Sequence, residues 1–154
     1  MRSRSFGDLN DYNSFYGNFR QPVIRSNERG RLAFDAPDRL LLSGTLELPF
    51  RLVLSPILEI RTGFPYSLID EDQRFITRNQ ERFPRFLSLD LQIVRPVTIP
   101  FRGKKIKARV GLKFFNLGNH FNPRDVQSNL DSPNFGTFYN SIPSTIRGKF
   151  EFDF

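Results

Sequence analysis

His120 is the only histidine in the chain and cysteine is absent, so the sequence offers one imidazole and no thiolate. A nucleophilic triad needs a base that is itself oriented by a third group. A structural zinc site needs four ligands, drawn mostly from Cys and His. His120 stands in an Asn-rich stretch, Asn116-Leu117-Gly118-Asn119-His120-Phe121-Asn122, and reads as a loop residue that caps a turn. Asp70-Glu71-Asp72 offers oxygens to a hard cation. It lacks the spaced Asp/Asn and the Gly of an EF-hand loop, and reads as a solvated loop. Glu47, Glu59, Asp90, Glu151 and Asp153 would suit acid–base work in a cleft, but they stand among Lys and Arg in alternating segments. That setting favours structural ion pairing. The expectation is a protein with no enzymatic activity, no cofactor and no metal.

The elements that hold these residues are extended. Eighteen Phe with no Trp, one Met, eleven Pro and ten Gly leave little room for helices and favour strands. No run approaches the roughly 18 apolar residues of a membrane helix. A membrane β-barrel escapes that test, because only every second strand residue must face lipid. The net charge of +7 comes from 23 basic and 16 acidic residues that are interspersed, the pattern of a mixed, solvated surface. The opening residues, Met1-Arg2-Ser3-Arg4-Ser5-Phe6-Gly7-Asp8, lack the apolar centre of a signal peptide. For an exported protein, the expectation is then that residue 1 is not a natural start and the chain is a fragment.

Five segments alternate with a period of two. In 39–50, Leu40, Leu42, Gly44, Leu46 and Leu48 oppose Ser43, Thr45 and Glu47. In 52–62, Leu52, Leu54, Leu58 and Ile60 oppose Ser55, Glu59 and Arg61, with Pro56 marking a bulge or a weak hydrogen-bonding position. In 85–95, Leu87, Leu89, Leu91 and Ile93 oppose Ser88, Asp90 and Gln92. In 104–116, Ile106, Ala108, Val110, Leu112 and Phe114 oppose Lys105, Lys107, Arg109 and Lys113. In 145–154, Ile146, Gly148, Phe150, Phe152 and Phe154 oppose Arg147, Lys149, Glu151 and Asp153. The expected fold is all-β, an antiparallel meander of about five long strands forming part of an open outer-membrane barrel. A long irregular segment, 1–38, precedes the barrel strands of 39–154, and polar loops occupy 63–84 and 117–143.

Connections alternate short and long, as in barrels with short periplasmic turns and long outer loops. With the last strand descending, 1–38, 63–84 and 117–143 all fall outside the cell. The apolar rows then face lipid. Glu47, Glu59, Asp90, Lys105, Lys107, Arg109, Arg147, Lys149, Glu151 and Asp153 face the lumen, since a Lys or Arg at mid-bilayer costs about 2–4 kcal/mol. A turn at 96–103 would set Asp90 near Arg109 and Gln92 near Lys107, with Glu151 and Asp153 near Lys107 and Lys105. The loop aromatics Phe64, Tyr66, Phe75, Phe83, Phe121, Phe135, Phe138 and Tyr139 are expected to pack the loops together rather than to hold a ligand.

The final run, Arg147-Gly148-Lys149-Phe150-Glu151-Phe152-Asp153-Phe154, resembles the C-terminal strand of outer-membrane barrels. In that family Gly148, Phe150, Phe152 and Phe154 would form the signal read by the barrel-assembly machinery. Gly63-Phe64-Pro65-Tyr66-Ser67, Arg82-Phe83-Pro84, Phe115-Asn116-Leu117-Gly118-Asn119-His120 and Asn122-Pro123-Arg124-Asp125 resemble the C-terminal region of TonB-dependent receptors that carry a carboxypeptidase-regulatory-like domain. The resemblance implies an outer-membrane location. It implies as partners the remaining strands and plug of a parent barrel, membrane lipid and, through the parent, the TonB system. The family's signal, TonB box and plug are missing, and five strands fall short of the eight or so that close a barrel, so the chain would not transport alone. The alternative is a small soluble basic β-sheet protein that binds nucleic acid or another polymer; a structural, adhesin-like surface module is a third option. A stacking platform needs aromatic and basic side chains on one face; in 104–116 they lie mostly on opposite faces, so no nucleic-acid partner is expected.

Overall fold

The computed structural model describes residues 2–8, 29–101 and 104–153. Most of the expected N-terminal loop, the Arg102-Gly103 turn and Phe154 lie outside the described residues. The strands in chain order are β1 (Phe6–Asp8), β2 (Arg29–Arg31), β3 (Arg39–Ser43), β4 (Leu46–Leu48), β5 (Leu52–Arg61), β6 (Pro65–Ile69), β7 (Phe75–Arg82), β8 (Phe86–Phe101), β9 (Lys104–Phe115), β10 (Asp125–Val126), β11 (Phe138–Tyr139) and β12 (Thr145–Asp153). The protein is all-β, its strand pairs are antiparallel, and among the described residues no sheet closes on itself. Two compact units divide the chain.

One unit (Leu40–Arg61, Arg85–Asn122, Ser141–Phe154) carries the large sheet, in the order β12-β9-β8-β5-β3, with β4 also on β5. Neighbours in space are neighbours along the chain, so it is a meander. The connections at 49–51 and 102–103 close one end of the sheet, and 62–85 and 116–144 leave from the other. In the first turn Phe50 (φ 64°) and Arg51 (φ 58°) are left-handed without being glycine, which suits the right-handed twist of the strands they join. β5 pairs with β8 without a break through Pro56, which faces Leu91. Pro56 therefore marks no bulge. It has no N–H to give, and its carbonyl accepts from the Gly44 N–H at 3.3 Å.

β8 runs past the expected end at residue 95 to Phe101, so residues 96–101 of the expected 96–103 turn are strand. Pro96 and Pro100 hid this extension. Both sit in strand with β9 as partner, and the Val53–Val94 pair is the first on the β5 side, so residues 95–101 form an edge where proline is tolerated. The β8–β9 hairpin thus projects beyond the end of β5.

The other unit (Met1–Arg39, Thr62–Pro84, Pro123–Asn140) is built of the short hairpins β1–β2, β6–β7 and β10–β11, with a bridge between Ile69 and Asn129. The segments 63–84 and 117–143 are therefore structured hairpins, not plain loops. The β6–β7 pairing shifts register between Tyr66 and Ile69, which erases the regular alternation that would reveal strands, and β10 and β11 are two residues each. Asp35 is the buried hub. Its carboxylate takes the Ser5 N–H at 2.6 Å and the Arg82 guanidinium at 2.5 Å. Arg82 also donates to the carbonyls of Asp35 and Gly63. A Cβ on Gly63 would lie 1.8 Å from the Phe83 carbonyl oxygen, so only glycine fits. Tyr66, Phe83 and Phe138 pack ring to ring at 5.3–6.1 Å, while Phe64, Phe135 and Tyr139 of this unit, and Phe121 of the large-sheet unit, are exposed.

Candidate functional site

The candidate site is the large sheet itself, whose two faces differ in chemistry. Register pairs define the faces, because partners across an antiparallel ladder point the same way. Leu54 faces Ile93, which faces Leu112, which faces Gly148. Leu58 faces Leu89, Leu46 faces Leu54, and Val110 faces Phe150. These residues form one continuous apolar surface. It is uncovered: Leu46 is 54% exposed, Leu112 47%, Ile146 63%, Phe150 68% and Phe152 53%. Val94 and Ala108 are the only buried hydrophobic side chains among the described residues. Ala108 is a small residue between Val97 and Phe152 on the ladder. Among the described residues the sheet has no buried core beyond these two side chains.

The opposite face is ionic. Lys113 lies between Gln92 and Arg147, Arg109 between Pro96 and Glu151, and Lys107 between Thr98 and Asp153. Glu151 accepts from Arg109 at 3.1 Å and from Lys149 at 2.8 Å. Glu59 pairs with Arg61 at 3.5 Å. Glu47 faces Val53, and Lys105 faces Pro100. At the loop end, guanidinium groups cover the rings on this face, Arg61 over Phe86 at 4.3 Å and Arg147 over Phe115 at 5.1 Å. All ten expected charged residues therefore share one face by register, with Asp153 placed by its backbone. Gly148, Phe150 and Phe152 share the other.

The expected cross-strand pairs need correction. Arg109 meets Pro96 and Glu151, not Asp90, and Lys107 meets Thr98 and Asp153, not Gln92 and Glu151. Lys105 meets Pro100, not Asp153. The longer β8 moves the turn outward, and an even-numbered slip preserves faces while exchanging partners. Asp90 instead accepts from the Ser88 hydroxyl at 2.8 Å and the Asn116 N–H at 2.9 Å.

Asn116 and Asn122 anchor the start of the 116–144 connection. Asn116 is buried with φ 48°; its amide donates to the carbonyls of His120 and Ile142 and its oxygen accepts the His120 N–H. Asn122 grips the backbone of Leu87 at both ends, donating to its carbonyl at 2.8 Å and accepting its N–H at 3.0 Å. His120 Nδ1 lies 3.1 Å from the Asn122 amide oxygen, and Ser141 accepts the Asn122 N–H. His120 is thus part of a loop clamp. The motif's Asn residues marked the place, since Asn tolerates the left-handed region, but their partners are far away in sequence.

Outside the large sheet, burial acts to raise the pKa of Asp35. The Ser5 N–H and the Arg82 guanidinium outweigh it and hold the carboxyl below the ordinary carboxylate value. Burial raises that of Tyr66, with Glu81 adding to it. Asp70 accepts the Arg74 N–H, Asp72 pairs with Arg74, and the Glu71 N–H donates to Asp131. Among the described residues no three carboxylate or imidazole groups are arranged to hold a metal. No helix there is long and apolar enough to cross a membrane, which says nothing of crossing by strands. No protein-family model matches the chain, and no curated protein or solved structure matches it.

Proposed function

We propose that the chain is a wall segment of an outer-membrane β-barrel of the TonB-dependent receptor type, with no catalytic role. The observation that carries this reading is a meander whose Leu and Phe face is uncovered while the opposite face bears the charges. Fully burying one such side chain stabilises by about 1.5–3 kcal/mol, so leaving the whole face in water forgoes on the order of 10 kcal/mol. Monomeric soluble proteins rarely expose so large a contiguous apolar surface. Hydrocarbon on one side and a wet lumen on the other satisfy both faces.

Dimensions support the reading. The ten residues of Leu52–Arg61 extend about 33 Å, or roughly 24 Å of vertical height at a 45° tilt, close to the apolar band of membrane barrels. The outer edges of β3 and β12 lack partners among the described residues. Further strands of a parent barrel would cover them and remove the aggregation risk of open edges. Membrane lipid, the plug and strands of that parent and the assembly machinery are the partners on this reading, with the TonB system reached through the parent. The soluble polyanion-binding alternative is weaker, because Phe86 and Phe115 on the charged face already lie under Arg61 and Arg147, while Phe114, Phe150 and Phe152 lie on the face opposite Lys113, Arg109 and Lys149.

The absence of native cysteine permits a direct test. Single cysteines at Leu89, Leu91, Ile93 and Leu112, and at Asp90, Gln92 and Lys113, would be labelled with an environment-sensitive dye in the full chain bound to phospholipid vesicles. Quenching by nitroxide lipids should alternate, strong at the first set and weak at the second. Uniform labelling by a water-soluble reagent at both sets would overturn the proposal.

A further inference from the structure

One charge interrupts the apolar face. Among the described side chains of β4, β5, β8, β9 and β12, Arg95 alone is a charged residue whose register position, opposite Val110, falls on that face. It lies one residue beyond the Val53–Val94 pair, at the level where β5 gives way to the Pro49–Arg51 turn. There Phe50, Arg51, Arg95, Pro96, Val97 and Thr98 line an open groove of about 380 Å³. Phe50 is 80% exposed, and Arg51 and Arg95 are exposed as well. Neither arginine makes an ion pair or side-chain hydrogen bond with a described residue.

We infer that this groove holds the phosphate of an anionic phospholipid at the membrane edge nearest the short turns. The inference rests on the membrane reading of the sheet. On that reading Arg95 marks where hydrocarbon ends, since a guanidinium reaches headgroup depth while its stem stays among apolar neighbours. Two guanidinium groups offer planar forks that match phosphate oxygens. Phe50, held outward by a left-handed turn, supplies the apolar contact that the adjoining acyl chain needs. Among the described residues the edge of β8 beyond β5 has no strand partner on that side, which leaves room for a headgroup.

The test is flotation of the full chain with phosphatidylcholine vesicles and with vesicles that also contain phosphatidylglycerol. The probes are the wild type, the double variant R51Q/R95Q and a control double variant K105Q/K107Q, which removes the same charge from the opposite face. Cations near an anionic membrane surface each contribute roughly fivefold to binding. R51Q/R95Q should therefore lose about thirty-fold of the binding to phosphatidylglycerol vesicles and keep its binding to phosphatidylcholine, with the control unchanged. Equal losses in the two double variants would show a diffuse charge effect and overturn the inference. So would wild-type binding that ignores phosphatidylglycerol. Absence of flotation with either vesicle would instead defeat the membrane reading on which the inference stands.

Discussion

Leu91→Arg and Ser55→Arg make a matched pair of charge insertions. Leu91 lies on the apolar face between Pro56 and Phe114, and Ser55 lies on the ionic face opposite Gln92. Along β8, Leu91 is four residues from Arg95 and five from Phe86. At a 45° tilt those steps are roughly 9 Å and 12 Å of depth. The position is therefore near the middle of the expected hydrocarbon band, where an arginine costs about 2–4 kcal/mol. Leu91→Arg should weaken partition of the full chain into phosphatidylcholine vesicles by about thirty- to several-hundred-fold. Ser55→Arg adds the same charge one register step away and should change partition less than about threefold, because its side chain stays in water. Flotation measures both, with circular dichroism confirming that strand content is kept. Equal effects from the two variants would refute the two-faced membrane assignment.

Other expectations concern the pins that hold the structure. Arg82→Met leaves the buried Asp35 carboxylate without its ion partner and should destabilise its unit by about 3–5 kcal/mol, read as faster hydrogen exchange at the Ser5 amide. The folded pKa of Asp35 is depressed from the ordinary 3.8, so its contribution is whole above pH about 4 and is lost as the pH falls through the folded value; Ser5 exchange protection in the wild type should fall only in that acidic range, and not in Asp35→Asn. Gly63→Ala and Gly111→Ala should each reduce the folded yield sharply, since a Cβ would lie 1.8 Å and 2.2 Å from the backbone oxygens of Phe83 and Ile93, whereas Gly118→Ala, with open space around it, should be tolerated. Asn122→Leu should strip both hydrogen bonds from Leu87 and cost about 1–3 kcal/mol per group left unsatisfied, detected as lost exchange protection at the Leu87 amide; retained protection would show that another group fills the role.

The two faces were readable in residue order because a strand's side chains alternate strictly. Leu87 to Ile93 against Ser88 to Gln92, and Ile106 to Phe114 against Lys105 to Lys113, state that alternation without knowing any partner. The same holds for Phe150 and Phe152 against Lys149 and Glu151. Prolines at 96 and 100 misled the reading of β8, because their tolerance depends on an edge that only the end of β5 creates. The hairpins β6–β7 and β10–β11 escaped notice because the register of the first shifts and the strands of the second are too short to show a period.

Residue types and their alternation thus settled that the protein is built of strands, where most of the large sheet's strands lie, and which side chains look which way. They could not settle which residues meet. A slip of two places leaves every face intact, so the partners of Asp90, Arg109 and Lys107 waited on the ladder itself. The union of Asp35 with Arg82, the grip of Asn122 on Leu87 and the place of Arg51 and Arg95 on one groove join positions tens of residues apart. Those meetings arise when distant segments close on one another, and no local pattern of residues encodes that closure.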